Sequence, residues 1–149
     1  MTTHLLDVNV LIAVVDPAHV QHESAHHWFG EVQPVALATC PITKNGLLRI
    51  VGQPKYPDSP APPSLVAAVL RAMRALPGHT FWPDSLSLVG GSPVLYVAHL
   101  SSHSRVSESC LLALAQANNG RLTTLDARPG TVALPAEGPF GPHLSRMDA

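Results

Sequence analysis

The sequence predicts an α/β domain with a mostly parallel central sheet covered on both faces, and three observations carry that prediction. Short apolar runs of strand length alternate with longer runs whose apolar residues recur at helical spacing. The short runs, among them Leu5-Leu6, Pro34-Val35-Ala36-Leu37-Ala38 and Leu122-Thr123-Thr124-Leu125, do not alternate cleanly between polar and apolar, which suits strands buried on both sides. Two of these runs end in a carboxylate, at Asp7 and at Asp126.

Taken in order, the first strand ends at Asp7 and passes into a helix carrying Val10, Leu11 and Val14, which Asp16-Pro17 closes. A second amphipathic helix is expected from about His19 to Phe29, then a buried strand over Pro34 to Ala38 that Pro41 ends. From about Thr43, the residues Leu47, Leu48, Ile50 and Val51 recur at helical spacing until Gly52 and Pro54 stop the turn. Residues 54–63 read as a loop. Ser64 reads as the N-cap of a helix carrying Leu65, Val66, Val69, Leu70 and Met73 and ending at Pro77-Gly78. A brief strand follows over Phe81 to Asp84. The stretch from Ser85 to Arg105, with Gly90-Gly91 and Pro93, shows no clear period. Ser107 reads as the N-cap of a helix with Leu111, Leu112, Leu114 and Ala115 on one face, stopped by Asn118-Asn119-Gly120. Arg121 to Asp126 is then a strand. Thr131 to Leu134 is a candidate last strand, and residues from about 136 to 149 are expected to be a mobile tail.

A length of 149 residues fits one domain spanning 1–149, large enough to bury a core without staples. With 46% hydrophobic residues the chain is globular in composition, and no apolar run reaches the roughly 18 residues of a membrane span. The N-terminus lacks a basic region, and Asp7 and Asn9 interrupt the apolar stretch behind it, so export is not expected and a cytoplasmic location is. Cys40 and Cys110 stand without a CxxC pair and read as small buried residues in a reducing compartment. The formal charge of −1, from nine Lys and Arg against ten acids, excludes a strongly basic nucleic-acid-binding face. Any nucleic acid must therefore be held locally. Of the nine histidines, four fall at His19, His22, His26 and His27, and His22 and His26 share a helix face. No further ligand falls at zinc spacing, so these read as solvated helix residues, with Trp28 and Phe29 facing inward.

The chemistry is expected at one edge of the sheet. Asp7 and Asp126 both sit at the carboxyl ends of strands, where ligands of open α/β sheets bind. Glu108 falls in the first turn of a helix whose start faces the same edge, so three carboxylates can converge. Clustered carboxylates repel, and a hard divalent cation with oxygen ligands relieves that repulsion. Asn9 adds a neutral oxygen. The purely structural alternative makes Asp7 and Asn9 helix caps, Glu108 a dipole partner and Asp126 the opening of a turn before Pro129-Gly130. A phosphatase using Asp7 as nucleophile is weaker, because Asn9 sits where a proton-donating acid would be wanted.

The ordered set Leu5-Leu6-Asp7-Val8-Asn9-Val10-Leu11-Ile12, Pro41-Ile42-Thr43-Lys44-Asn45-Gly46-Leu47-Leu48-Arg49-Ile50, Gly78-His79-Thr80-Phe81-Trp82-Pro83-Asp84, and Leu111-Leu112-Ala113-Leu114-Ala115 through Leu122-Thr123-Thr124-Leu125-Asp126 closely resembles the PIN-domain toxins of VapBC toxin–antitoxin systems. The resemblance implies a three-layer α/β/α fold and a magnesium- or manganese-dependent endoribonuclease acting on structured RNA such as transfer or ribosomal RNA. It also implies homodimers and inhibition by a cognate VapB-type antitoxin. Asp7 matches the first acid of the family, Asp126 the last, and Glu108 stands where these toxins usually have Asp.

Lys44 departs from the pattern, standing where the family usually places a glutamate. An ammonium among divalent cations would weaken their binding by about 1 to 4 kcal/mol per unit charge at about 4 Å, depending on exposure. Lys44 also falls near a helix start, where the macrodipole favours an acid. Reduced or absent cleavage is therefore expected, with a binding-only protein as the alternative. In an active protein Asp7, Glu108 and Asp126 would hold the metal, and Thr124 or Asn9 would orient ligands. Arg71 and Arg74 are weaker candidates for phosphate contacts, and Trp82 is expected in the core.

Overall fold

The structure, a computed structural model, describes residues 2–31, 36–56, 62–87, 106–125 and 144–146. Strands β1 (Thr3–Leu6), β2 (Ala36–Thr39), β3 (His79–Phe81), β4 (Arg121–Thr124) and β5 (Leu144–Arg146) form one sheet in the order β3-β2-β1-β4-β5. Every neighbouring pair is parallel, so all five strands present their carboxyl ends to the same edge. The expected parallel sheet is present. The region of residues 88–105, the candidate strand Thr131 to Leu134 and Asp126 lie outside the described residues.

Helices α1 (Val8–Val15), α2 (His22–Glu31), α3 (Pro41–Val51) and α4 (Pro63–Arg74) cover one face, and α5 (Val106–Ala117) covers the other. Neighbouring residues of one strand divide between the two cores: Leu6 and Leu37 pack with Val10, Leu11, Leu47, Leu70 and Met73, while Leu5 and Ala38 pack with Leu111, Leu112, Leu114 and Trp82. This period-two division of short apolar strands gives the three-layer α/β/α arrangement. Trp82 is in the core as expected, 6% exposed.

Several element ends differ from the sequence expectation. Asp7 lies one residue past β1 and is the N-cap of α1. α2 begins at His22 and not near His19, and β3 spans His79–Phe81 and not Phe81 to Asp84. α3 starts at Pro41, whose fixed φ suits a first helical position, and α4 starts at Pro63 behind Pro62, so Ser64 is not its N-cap and Pro77-Gly78 is not its end. Ser107 is likewise inside α5, which begins at Val106. Residues 144–146, expected in a mobile tail, add β5 to the sheet by pairing with β4 in the register Leu122↔Leu144.

His22 and His26 do share a face of α2, yet they serve as a cap for α1. The His22 ring donates to Ala13 O (2.7 Å) and the His26 ring to Val14 O (3.2 Å), satisfying carbonyls that the end of α1 leaves open. Among the described residues no group of three or more His, Cys, Asp or Glu side chains is placed to hold a metal ion. The end of α1 is held further by Asp16, which accepts from Ala18 N–H (2.9 Å) and from the Tyr56 hydroxyl (2.5 Å). Burial and that bond push the Tyr56 phenol up to about 12. Among the described residues no helix is long and apolar enough to cross a membrane.

α5 ends where Asn119 takes a left-handed φ of 53° and Gly120 follows. A Cβ on Gly120 would lie 2.4 Å from the Trp82 ring and 2.8 Å from Thr3 O. We expect Gly120→Ala to cost about 1–3 kcal/mol, read from the urea midpoint. His4 bonds Thr123 Oγ1 (2.8 Å) and meets Trp28 edge-on, and burial, with Arg121, holds its pKa below the usual 6.5. A depressed histidine stabilises the fold in its neutral form, so this contribution is intact above pH 6.5 and is lost as pH falls through the lowered value. Denaturation series on either side of that pH should show a loss of stability on acidification that is smaller in His4→Gln.

Candidate functional site

A cleft of about 620 Å³ opens at the carboxyl edge of the sheet, between the start of α3 in one layer and the start of α5 in the other. Its lining includes Asp7 from the β1–α1 junction, Pro41, Asn45 and Arg49 from α3, and Ser107 and Glu108 from α5. Two of the three expected carboxylates therefore meet in one cleft. The third, Asp126, lies outside the described residues, just past Leu125.

Asp7 is held at both oxygens. Oδ1 accepts from Val8 N–H (2.7 Å), capping α1, and Oδ2 accepts from the Thr124 hydroxyl (2.9 Å). Thr124 is fully buried and its oxygen accepts from Asn9 Nδ2 (3.1 Å), while Asn9 Oδ1 accepts from Leu125 N–H (3.2 Å). The capping role that a structural reading assigns to Asp7 is real and coexists with its place in the cleft. Asn9, expected to add a neutral oxygen and to help orient the ligands, is not in the cleft lining; its oxygen is committed to the backbone and its amide steers Thr124, so its hold on Asp7 is indirect. The first turn of α1 carries no acidic residue.

Glu108 is in the first turn of α5, where the aligned peptide dipoles favour a negative charge, and its Oε1 is shielded from solvent. Opposite it, Asn45 and Arg49 are one helical turn apart on α3, the i and i+4 positions that share a face. Neither was among the residues expected from sequence. The spacing Pro41, Asn45, Arg49 was the signal that could have found them. α3 comes this close because residue 46 is glycine: a Cβ there would lie 2.8 Å from Val8 Cγ2.

Lys44 does not line this cleft. Its Nζ sits 4.4 Å from the centroid of the Phe81 ring, on the flank of α3 that faces β3. Burial, then Arg74, hold the Lys44 amine below its usual range. Arg71 and Arg74 are exposed near the end of α4, away from the cleft lining. Cys40 is buried and Cys110 half-buried, and burial with Asp84 pushes the Cys110 thiol up, as for an unreactive cysteine.

A parallel α/β/α domain with carboxylates from β1–α1 and α5 in a cleft at the strand ends is a PIN-like domain. Comparison with known proteins narrows this. The chain is 45% identical over 125 residues to Ribonuclease VapC39 of Mycobacterium tuberculosis, covering 84% of this chain and 89% of that protein. It is 38% identical over 146 residues to Ribonuclease VapC44 of the same organism, covering 96% and 98%. No family model matches. Among solved structures, VapBC2 from Rickettsia felis bound to a DNA fragment from their promoter is similar in fold, with a TM-score of 0.59, 11% identity and coverage of 98% of this chain and 99% of that one. The chain belongs to the VapC ribonuclease family.

The hydrogen-bonded chain behind Asp7 makes a direct prediction. Thr124→Val keeps the shape but leaves the Asn9 amide and an Asp7 oxygen without their buried partner, so it should destabilise the fold by about 1–3 kcal/mol in denaturant titration.

Proposed function

We propose that this chain is a VapC-type endoribonuclease toxin, neutralised by a VapB-type antitoxin and using magnesium or manganese to cut RNA phosphodiesters. The observation that carries it is the meeting of Asp7 and Glu108 with Arg49 in one cleft, from elements far apart in sequence. The donors available are carboxylate and amide oxygens, Asp7, Glu108 and Asn45, a set that suits hard magnesium or manganese better than zinc or copper. An ion held by Asp7 and Glu108 would supply Lewis-acid polarisation of the phosphate.

The remaining roles belong to the chain itself. The Thr124 hydroxyl and Val8 N–H fix the Asp7 carboxylate in one orientation, so no rearrangement is needed when substrate arrives. Arg49, across the cleft, offers paired N–H donors to a phosphate, which carries the geometry that guanidinium matches. Glu108 stands on the α5 wall with its Oε1 shielded from solvent, where its carboxylate would add a second acidic oxygen ligand to the one from Asp7.

One observation favours a second reading, a VapC-like protein that binds its antitoxin without cutting RNA. Lys44 stands at the position where the family resemblance places a glutamate, and the residues that α3 does present to the cleft include an amide and a guanidinium but no carboxylate.

The test is cleavage of structured RNA in manganese, beside calorimetric manganese titration. We expect cleavage by the wild type, none by Asp7→Asn, and a loss of roughly 10–100-fold in Thr124→Val, as for a residue orienting a ligand. Lys44→Glu reverses a charge one residue from the cleft lining and, acting through space from the β3 flank of α3, should bind manganese more tightly. A silent wild type that gains cleavage through Lys44→Glu would establish the second reading.

A further inference from the structure

Lys44 belongs to a second group of side chains, on the other flank of α3. Consecutive helix residues are about 100° apart around the axis, so Asn45 faces the cleft while Lys44 faces β3. On β3, His79 and Phe81 are two residues apart and project to the same side of this edge strand. That side is the α3–α4 face, because His79 Nε2 bonds Thr39 Oγ1 (2.8 Å) on β2 and Phe81 lies under Lys44. α4 ends at Arg74, and a turn closed by His79 N–H to Leu76 O (3.0 Å) carries the chain straight into β3. Arg74, His79, Phe81 and Lys44 thus gather at the open edge of the sheet.

The electrostatics of the group are one-sided. Beyond the effect of burial, Arg74 disfavours the charge on Lys44, and Arg74 with Lys44 disfavours a charge on His79. Among the described residues, no carboxylate forms an ion pair with any of the three. Basic groups held together this way stabilise a bound anion, and the place is accessible: Phe81 is 43% exposed and Arg74 is exposed. The chain as a whole carries a net charge of −1, so attraction for a polyanion has to come from a local cluster such as this.

We propose that Lys44, Arg74 and His79, grouped about the Phe81 ring, form a phosphate-binding platform that holds the RNA strand as it leaves the cleft over the first turns of α3. The proposal rests on the ribonuclease reading for its choice of polyanion. RNA is favoured over an acidic peptide because the platform and the cleft share one helix, so a single strand can occupy both, and because an exposed ring beside cations suits a base next to its phosphate. On this view Lys44 exchanges a role in the metal site for one in substrate retention.

The experiment is fluorescence anisotropy of the full chain with a cleavage-resistant 2′-O-methyl RNA in EDTA, over a range of NaCl concentrations. Lys44→Gln and Arg74→Gln should each weaken binding several-fold and lower the slope of log K against log salt by about 0.7, the value for one phosphate contact on a single strand. Lys55→Gln removes the same charge from an exposed site between α3 and α4 and should bind as the wild type does. Equal effects from all three variants, or none from Lys44→Gln and Arg74→Gln, would overturn the platform. A wild-type preference for hexaglutamate over RNA, lost in both platform variants, would overturn its assignment to RNA. Cleavage in manganese is scored separately: a wild type that cuts RNA with unaltered binding in the variants loses the platform and keeps the ribonuclease. One that binds through the platform without cutting does the reverse.

Discussion

The chain of hydrogen bonds from Asn9 through Thr124 to Asp7 is the constraint on which the cleft depends. It links the start of α1 to the end of β4, and it ends on a carboxylate, so its last bond is charge-assisted and contributes about 1.5–3 kcal/mol. α1 is only eight residues long, too short to hold itself in water. Its position comes from Asp7 and β4 at one end and from His22, His26 and the Asp16–Tyr56 bond at the other. The carboxylate in the cleft is therefore supported by both ends of one short helix.

The walls of the cleft come from different layers, and that follows from the sheet. With every strand parallel, α3 and α5 both start at the carboxyl edge, one above the sheet and one below it. Their first turns approach each other only over the ends of the central strands. The acidic side chains arrive from β1–α1 and α5, while α3 supplies the amide and the guanidinium. Opposed walls of different chemistry suit a substrate that is itself an anion needing both a cation and a carboxylate nearby.

Much of this was legible in the sequence. The position of Asp7 and Glu108 follows from the rule that ligands gather at the carboxyl edge, and both line one cleft there; Thr124, a sequence candidate for orienting ligands, donates its hydroxyl to Asp7. Asn45 and Arg49 lie inside the helix expected from Thr43, but which face of that helix meets the cleft depends on how α3 packs beside Val8 and opposite α5, and spacing alone does not show that. Ser64 and Ser107 misled as N-caps, since Pro62-Pro63 and Val106 start their helices without a side-chain cap from those residues. β5 could not be foreseen: three residues have too little period of their own, and their pairing depends on the backbone of β4. The direction of Lys44 was equally hidden, because the ring that holds it comes from a distant strand.

Glycine at position 46 has a mechanical consequence. Without a side chain there, α3 rests directly against Val8, the residue after Asp7, so the gap between the carboxylate and the Asn45–Arg49 wall is set by atoms in contact. Charge regulates what enters such an opening, whereas its width is a matter of hard-core repulsion, which neither added salt nor protonation relaxes. A side chain at position 46 would have to press α3 and Val8 apart, and the cleft wall would shift with them.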